Sequence, residues 1–254
     1  MNGDTTEKIN VRGVRFDNVD ESEALFRALA FGETRQARVI YTPNSEIVQM
    51  CIEDKAIENI INSADMIIPD GAGVVLASKL LHRPLKGKVA GIELAEAIVR
   101  ESAKSGKRIF FLGSKPERDG EPSIADLAGQ KLGEKYEGFR PCGTHDGYFK
   151  EEQSAEIIEQ INAADPDFVF VCLGAPRQEK WIYDHRSQLR AGCLIGLGGS
   201  LDVFAGAVKR APRFFIRTRL EWFYRLLKQP SRIGRMMKLP KFIISTVFCR
   251  KDKA

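Results

Sequence analysis

Residues that bind metals or form disulfides are scarce in this sequence of 254 residues, which has three histidines and five cysteines. The cysteines are scattered, odd in number and never spaced as Cys-x-x-Cys, which disfavours a disulfide framework and a structural zinc site. The histidines are far apart, and none belongs to a His-Glu-x-x-His motif. The sequence therefore predicts no metal centre and no cofactor.

Long apolar runs are also missing. The longest late run, residues 242–249, has about half of the roughly 18–20 residues that a transmembrane helix needs. The first residues have no apolar segment of the kind found in secretory signals. We therefore expect a protein of the reducing cytoplasm that does not span a membrane.

Basic residues are concentrated in the last fifth of the sequence. Residues 205–254 contain fourteen Lys or Arg residues and two acidic residues, whereas residues 1–204 are mildly acidic. This asymmetry indicates an anionic partner, which could be a phosphate, a nucleic acid or a membrane surface. It also places a boundary near residue 204, which separates an α/β domain over residues 1–204 from a basic amphipathic appendage over residues 205–254.

Short apolar segments alternate with helical patterns through the acidic part. The segments predicted as strands are 38–42, 66–69, 108–112, 168–173 and 193–197. The helical patterns cover 47–61, 73–81, 91–105, 123–135 and 152–163. This alternation predicts a Rossmann-like α/β fold, a parallel sheet with helices on both faces. Because ligands bind such sheets outside the carboxyl ends of the strands, we expect the loops that follow the strands to converge on one crevice.

Asp70 is the leading candidate for a catalytic base. It lies between a predicted strand and Gly71, so its carboxylate would project at the edge of the crevice. A hydroxyl that acts as a nucleophile needs a base that takes its proton, and a positioned carboxylate suits this role. The alternative, with about equal weight, is that Asp70 caps the next helix.

Two other patterns do not support a known motif. Gly71-x-Gly73 and Gly196-x-Gly198 begin like a dinucleotide fingerprint, but leucine replaces the third glycine, which disfavours an NAD-dependent oxidoreductase. Their backbone N–H groups could instead approach a phosphate, or the loops could be simple tight turns. The sequence 165–167 is Asp-Pro-Asp, but it precedes its strand at the end opposite the crevice, so we reject it as a metal-binding motif.

The basic appendage combines arginines with aromatic residues, as in Arg213-Phe214-Phe215 and in Glu221-Trp222-Phe223-Tyr224-Arg225. This composition favours binding to an anionic bilayer. A non-enzymatic RNA-binding module with a basic arm would use similar residues, and a solvated basic helix is the third possibility.

Seven segments, in this order, resemble the WecG/TagA/CpsF glycosyltransferase family. They are Thr42-Pro43-Asn44-Ser45-Glu46, Pro69-Asp70-Gly71-Ala72-Gly73, Val89-Ala90-Gly91-Ile92-Glu93-Leu94, residues 173–181, Gly198-Gly199-Ser200-Leu201-Asp202, Arg210-Ala211-Pro212 and Glu221-Trp222-Phe223-Tyr224-Arg225. Any one of them is unspecific, but the ordered set is specific and extends over nearly the whole chain.

The resemblance implies an inverting, metal-independent transfer of N-acetylmannosamine from a UDP-sugar donor. The implied acceptor is undecaprenyl-diphosphate-linked N-acetylglucosamine, and the product belongs to teichoic acid or a related surface polymer. The family's base falls on Asp70. Its other substrate-binding residues fall on Thr42, Asn44, Gln178, Arg225, Arg232 and Arg235. The expected location is the cytoplasmic face of the cell membrane, with peripheral attachment, a possible homo-oligomer and no nucleic acid partner.

The sequence departs from the family pattern near residue 88. Lys88 stands where the family usually has arginine, and Glu93 stands where it has aspartate. Lysine keeps the positive charge but loses the bidentate geometry of arginine, so phosphate binding by Lys88 follows less directly from the resemblance than the role of Asp70. The identity of the sugar stays open between N-acetylmannosamine, its uronic acid and a hexose.

Overall fold

The computed structural model describes residues 7–118, 120–209, 212, 215 and 238–251. The strands are β1 Lys8–Val11, β2 Val14–Asp17, β3 Arg38–Tyr41, β4 Met66–Ile67, β5 Ile109–Gly113, β6 Gly143–His145, β7 Phe168–Cys172 and β8 Cys193–Gly196. The α-helices are α1 Glu21–Gly32, α2 Ser45–Glu53, α3 Lys55–Asn62, α4 Ala72–Leu80, α5 Gly91–Ser105, α6 Ile124–Lys135, α7 Ser154–Ala163, α8 Arg177–His185, α9 Ser200–Phe204 and α10 Lys238–Lys251.

Six strands form one parallel sheet in the order β4-β3-β8-β7-β5-β6. All five predicted strands belong to it, and β6 is the one that the sequence pattern did not reveal. The remaining two strands, β1 and β2, form an antiparallel hairpin of their own. The predicted α/β class with a parallel sheet is confirmed.

The hydrophobic core has two halves, one on each face of the sheet. Along β3, Val39 and Tyr41 point into one half and Ile40 into the other, because successive strand residues face opposite sides. Helices α2, α3, α4, α7, α8 and α10 contribute to the first half, whereas α1, α5, α6 and α9 contribute to the second. The prediction of helices on both faces is therefore confirmed.

The helical pattern over residues 47–61 forms two helices rather than one. The break lies at Asp54, whose backbone is extended and whose side chain accepts a hydrogen bond from the Ala56 N–H at 2.8 Å. The sequence pattern did not reveal α1 either, although it begins with a capping box. There, Asp20 accepts from the Glu23 N–H, and Glu23 accepts from the Asp20 N–H.

Helix α10 returns to the α/β body and packs against α2 and α4. Phe242 is fully buried in the first half of the core, and Lys241 forms an ion pair with Glu53 on α2 at 2.6 Å. This helix belongs to the predicted appendage, yet it shares the core of the domain. Within the described residues, no helix is both long and apolar enough to cross a bilayer.

Candidate functional site

The loops at the carboxyl ends of the parallel strands lie side by side, as the sheet order requires. The loops that follow β4, β3, β8 and β7 carry the sequence-predicted residues of the α/β body. In that order they contain Asp70, Thr42 with Asn44, the glycines 198 and 199, and Gln178 at the start of α8. Contacts between these loops hold them together.

Asp70 is half-buried at the end of the segment that follows β4. The helix after it, α4, has its N-cap at Gly71, whose φ of +115° is a conformation that favours glycine. Gly71 has no side chain with which to cap the helix. The N-cap position of α4 is therefore occupied by Gly71, and Asp70 stands one residue before it.

Asn44 lies next to the Asp70 loop. Its side-chain oxygen accepts hydrogen bonds from the N–H groups of Glu46 at 2.9 Å and Ile47 at 3.1 Å, so it caps α2. A methyl group placed on Gly71 would lie 3.7 Å from Cβ of Asn44. The asparagine is exposed, and its amide nitrogen is not used by the cap.

Thr42 connects β3 to two other segments of the site. Its hydroxyl donates a hydrogen bond to the carbonyl of Gly196, at the end of β8, at 2.8 Å. Its methyl group lies against Gly91, the first residue of α5, where an added Cβ would approach Cγ2 to 3.0 Å. Glycine at position 91 therefore lets the start of α5 approach the end of β3.

Lys88 is half-buried in the loop that precedes α5. The next residue, Val89, donates its backbone N–H to the carbonyl of Pro69 at 3.0 Å. This bond places the backbone of Lys88 beside the segment that carries Asp70.

Gln178 is buried in the first turn of α8, the position predicted from the sequence. Its side-chain oxygen accepts from the Gly198 N–H at 2.9 Å, and its amide nitrogen donates to Oε1 of Glu179 at 2.8 Å. The side chain thus braces the loop after β8. A role in contacting substrate stays a prediction, because it requires access to an amide that is 2% exposed here.

Glu179 is buried, and its other oxygen, Oε2, has no hydrogen-bond partner among the described residues. Burial raises the pKa of this carboxyl above the ordinary value of 4.5. The sequence pattern did not reveal this residue as part of the site, because an acid in a helical first turn is typically exposed.

Polar side chains at the other end of the crevice make bonds that the sequence did not predict. Ser114, which follows β5 with φ of +64°, donates its hydroxyl to Asp202 of α9 at 2.9 Å. Arg177 donates to the carbonyls of Gly147 at 2.6 Å and Phe149 at 2.7 Å, which fixes the loop after β6. These bonds join the loop after β5 to α9, and α8 to the loop after β6. The joined segments are distant in sequence, so spacing along the chain does not reveal the bonds.

The side chains around the site do not resemble a metal or thiol centre. Among the described residues, no three His, Cys, Asp or Glu side chains are grouped so that they could hold a metal ion. Asp165 and Asp167 lie at the opposite end of the sheet, as predicted, where Asp167 accepts from the backbone N–H of Arg108. Cys172, at the end of β7, is buried, and burial raises the pKa of its thiol to about 12.

Arg225, Arg232 and Arg235 lie outside the described residues. The structure therefore leaves their predicted contacts with substrate untested.

The sequence of residues 9–254 matches the family model described as the glycosyl transferase WecG/TagA/CpsF family. The chain belongs to this family. The match extends from β1 through the basic appendage, so the WecG/TagA/CpsF assignment covers the sheet, the crevice and α10 alike. The resemblance seen in the seven ordered segments is confirmed.

Curated members of the WecG/TagA/CpsF family include three similar proteins that share one name, N-acetylglucosaminyldiphosphoundecaprenol N-acetyl-beta-D-mannosaminyltransferase. The protein of Bacillus spizizenii is 40% identical over 208 residues, which cover 82% of this chain and 78% of that protein. The protein of Bacillus subtilis is 38% identical over 215 residues, covering 85% and 81%. The protein of Staphylococcus aureus strain MW2 is 35% identical over 240 residues, covering 94% and 91%.

Proposed function

We propose that this glycosyltransferase moves N-acetylmannosamine from UDP-N-acetylmannosamine to undecaprenyl-diphosphate-linked N-acetylglucosamine, in the synthesis of teichoic acid or a related surface polymer. The names of relatives that align with most of this chain support the transferred sugar and the acceptor. The observation that carries the catalytic part is the position of Asp70, a half-buried carboxylate that follows an edge strand of the parallel sheet and precedes the N-cap of α4.

In the proposed reaction Asp70 acts as the general base. It takes the proton from the acceptor hydroxyl while the hydroxyl oxygen attacks the anomeric carbon of the donor sugar. The bond from the anomeric carbon to the β-phosphate oxygen breaks, and UDP leaves with that electron pair from the opposite face. The configuration at the anomeric carbon is therefore inverted.

The departing diphosphate requires compensation of its negative charge, and cationic side chains with loop N–H groups can supply it. We assign this role to Lys88 and to Arg225, Arg232 and Arg235 of the appendage. Thr42, Asn44 and Gln178 shape the pocket for the sugars, with Thr42 and Gln178 acting through the loops that they brace. The proposed transfer needs no metal ion.

A peripheral position on the cytoplasmic face of the membrane suits a lipid-linked acceptor. Helix α10 supports this proposal, because Ile244, Val247 and Phe248 are exposed on it within a strongly basic segment of the sequence. Apolar side chains flanked by basic residues are typical of segments that lie on an anionic bilayer.

Replacement of Asp70 tests the catalytic assignment. We expect Asp70→Asn to lower kcat by about 100-fold or more, the range that a general base contributes, while the protein stays folded. The assay uses purified protein, UDP-N-acetylmannosamine and a short-chain lipid-diphosphate acceptor, with melting temperature as the test of folding. Asp54→Asn is the matched control, since Asp54 is an exposed helix cap and asparagine caps equally well. Turnover by Asp70→Asn equal to that of the control would refute the assignment.

The same assay identifies the donor and the metal requirement. N-acetylmannosamine should be transferred faster than its uronic acid or a hexose, and activity should persist in excess EDTA. Preference for another UDP-sugar would correct the substrate, and loss of activity in EDTA with recovery on added Mg²⁺ would exclude the metal-independent reaction.

A further inference from the structure

Asp17, the last residue of β2, is a fully buried carboxylate far from the predicted site in sequence. It accepts hydrogen bonds from Nζ of Lys8 at 2.9 Å, from Nη1 of Arg27 at 2.9 Å and from the backbone N–H of Ile67 at 2.8 Å. A buried charge is costly unless it is paired and hydrogen-bonded, and these three donors meet that need.

The third of these bonds connects Asp17 to the strand that leads to Asp70. Strand β4 has two residues, lies at the edge of the sheet and pairs with β3 alone. Among the described residues, no further strand pairs with its outer side to accept the N–H of Ile67, and the carboxylate of Asp17 accepts it instead. Asp70 follows Ile67 by three residues, so Asp17 sets the position from which the Asp70 loop begins.

The residue after Asp17 holds the loop of Lys88 in the same way. The side-chain oxygen of Asn18 accepts from the backbone N–H of Lys86 at 2.8 Å. The ammonium of Lys86 also pairs with Glu23 at 2.6 Å. The Lys88 loop is thus bonded to the hairpin at one end and, through Val89, to Pro69 at the other.

We propose that Asp17 is a positioning residue for Asp70, acting through the backbone of Ile67. Together, Asp17 and Asn18 fix the segment of Asp70 and the loop of Lys88 relative to each other. Asp17 does not touch substrate. The inference rests on the proposed function, since it assumes that Asp70 takes the acceptor proton.

Asp17→Asn tests this role. Asparagine has nearly the same volume but no negative charge, so it cannot pair with both cations and also accept the backbone N–H of Ile67. We expect kcat to fall about 10- to 100-fold, as a misplacement of about 1 Å can cost 100-fold, while the KM for the UDP-sugar changes less than about twofold. Both constants are measured well below the melting temperature of the variant, so that the folded fraction does not limit the rate.

Asp167→Asn is the matched control. Asp167 also accepts a strand-end backbone N–H, from Arg108 at 2.7 Å, and lies 3.8 Å from the cations of Arg35 and Lys107. It stands at the opposite end of the sheet, so its replacement should lower the melting temperature without changing kcat. An equal loss of kcat in the two variants would overturn the positioning role, as would wild-type kcat in Asp17→Asn.

Two further variants separate the remaining outcomes. If Asp17→Asn does not fold, Arg27→Gln tests the positioning role instead, because it removes the guanidinium that donates to Asp17. We expect this variant to lower kcat by a smaller factor at constant KM. A wild-type kcat in Arg27→Gln would then overturn the inference. Asp70→Asn is assayed in parallel: if it retains turnover, the proposed role of Asp70 as the base fails, and if it alone loses turnover, only the role of Asp17 fails.

Discussion

At the residue scale, the pair Gln178–Glu179 shows how one buried acid can support the site. The carboxyl of Glu179 accepts a hydrogen bond from the side-chain amide of Gln178. This bond orients the amide of Gln178, so that its oxygen accepts a hydrogen bond from the N–H of Gly198. Burial favours the neutral form of Glu179. A neutral carboxyl still accepts this hydrogen bond, so the brace does not require a charge.

The raised pKa of Glu179 has a consequence for stability. Because the folded protein holds this proton more tightly than the unfolded chain, the contribution of Glu179 is fully present below the unfolded pKa of 4.5 and is lost as the pH rises through the folded pKa. Glu179→Gln mimics the neutral acid, so its melting temperature should decline less than that of the wild type between pH 4.5 and 8. Thermal melts over this range measure the difference, and parallel curves for the two proteins would contradict the expectation.

The residues of the site differ in how far sequence reasoning could find them. The position of Asp70 could be predicted, because a carboxylate between a strand and a glycine has an identifiable place at the edge of a parallel sheet, whereas its role as a base stays a prediction. The burial of Gln178 was not foreseen, since an amide in a helical first turn can face solvent or a neighbouring loop. Asp17 was missed, because its partner Ile67 lies 50 residues away and the hairpin was itself not recognised.

At the element scale, the burial of Phe242 predicts that helix α10 contributes to the stability of the α/β body. Phe242 is completely buried between α10 and the body, whereas Phe248 on the same helix is 60% exposed. We expect Phe242→Ala to lower the free energy of unfolding by about 3–5 kcal/mol, the usual cost of removing a buried phenylalanine ring. Phe248→Ala should change it by less than about 0.5 kcal/mol. Urea unfolding of the two variants measures both values, and equal small changes would show that α10 does not contribute to the stability of the body.

The elements that the sequence revealed are those with an unambiguous apolar pattern. Strand β7 is apolar at all five positions and buried on both faces, so its run of hydrophobic residues marks it directly. The strands of the hairpin alternate polar and apolar residues over only four positions each, which leaves a weak signal. The order of strands in the sheet depends on contacts between distant segments and was not predictable from local pattern.

At the scale of the whole molecule, the charge asymmetry and the exposed apolar side of α10 together predict binding to anionic membranes. The full chain should sediment with vesicles of anionic phospholipid more than with neutral vesicles, and salt should weaken this binding. Phe248→Ser should reduce binding, because it removes an exposed apolar side chain from the basic segment. Phe26→Ser is the matched control, since Phe26 is also exposed but lies on α1, on the other face of the sheet. Equal losses in the two variants would count against α10 as the membrane-facing surface.

The hydrogen bond from Thr42 to Gly196 joins positions 154 residues apart. It is made between β3, an early strand, and β8, the last strand of the sheet to be synthesised. A nascent chain that has not yet completed β8 therefore cannot close the crevice between these two strands. Since contacts of high sequence separation form slowly, the capacity to bind a donor should be among the last properties that the chain acquires during folding.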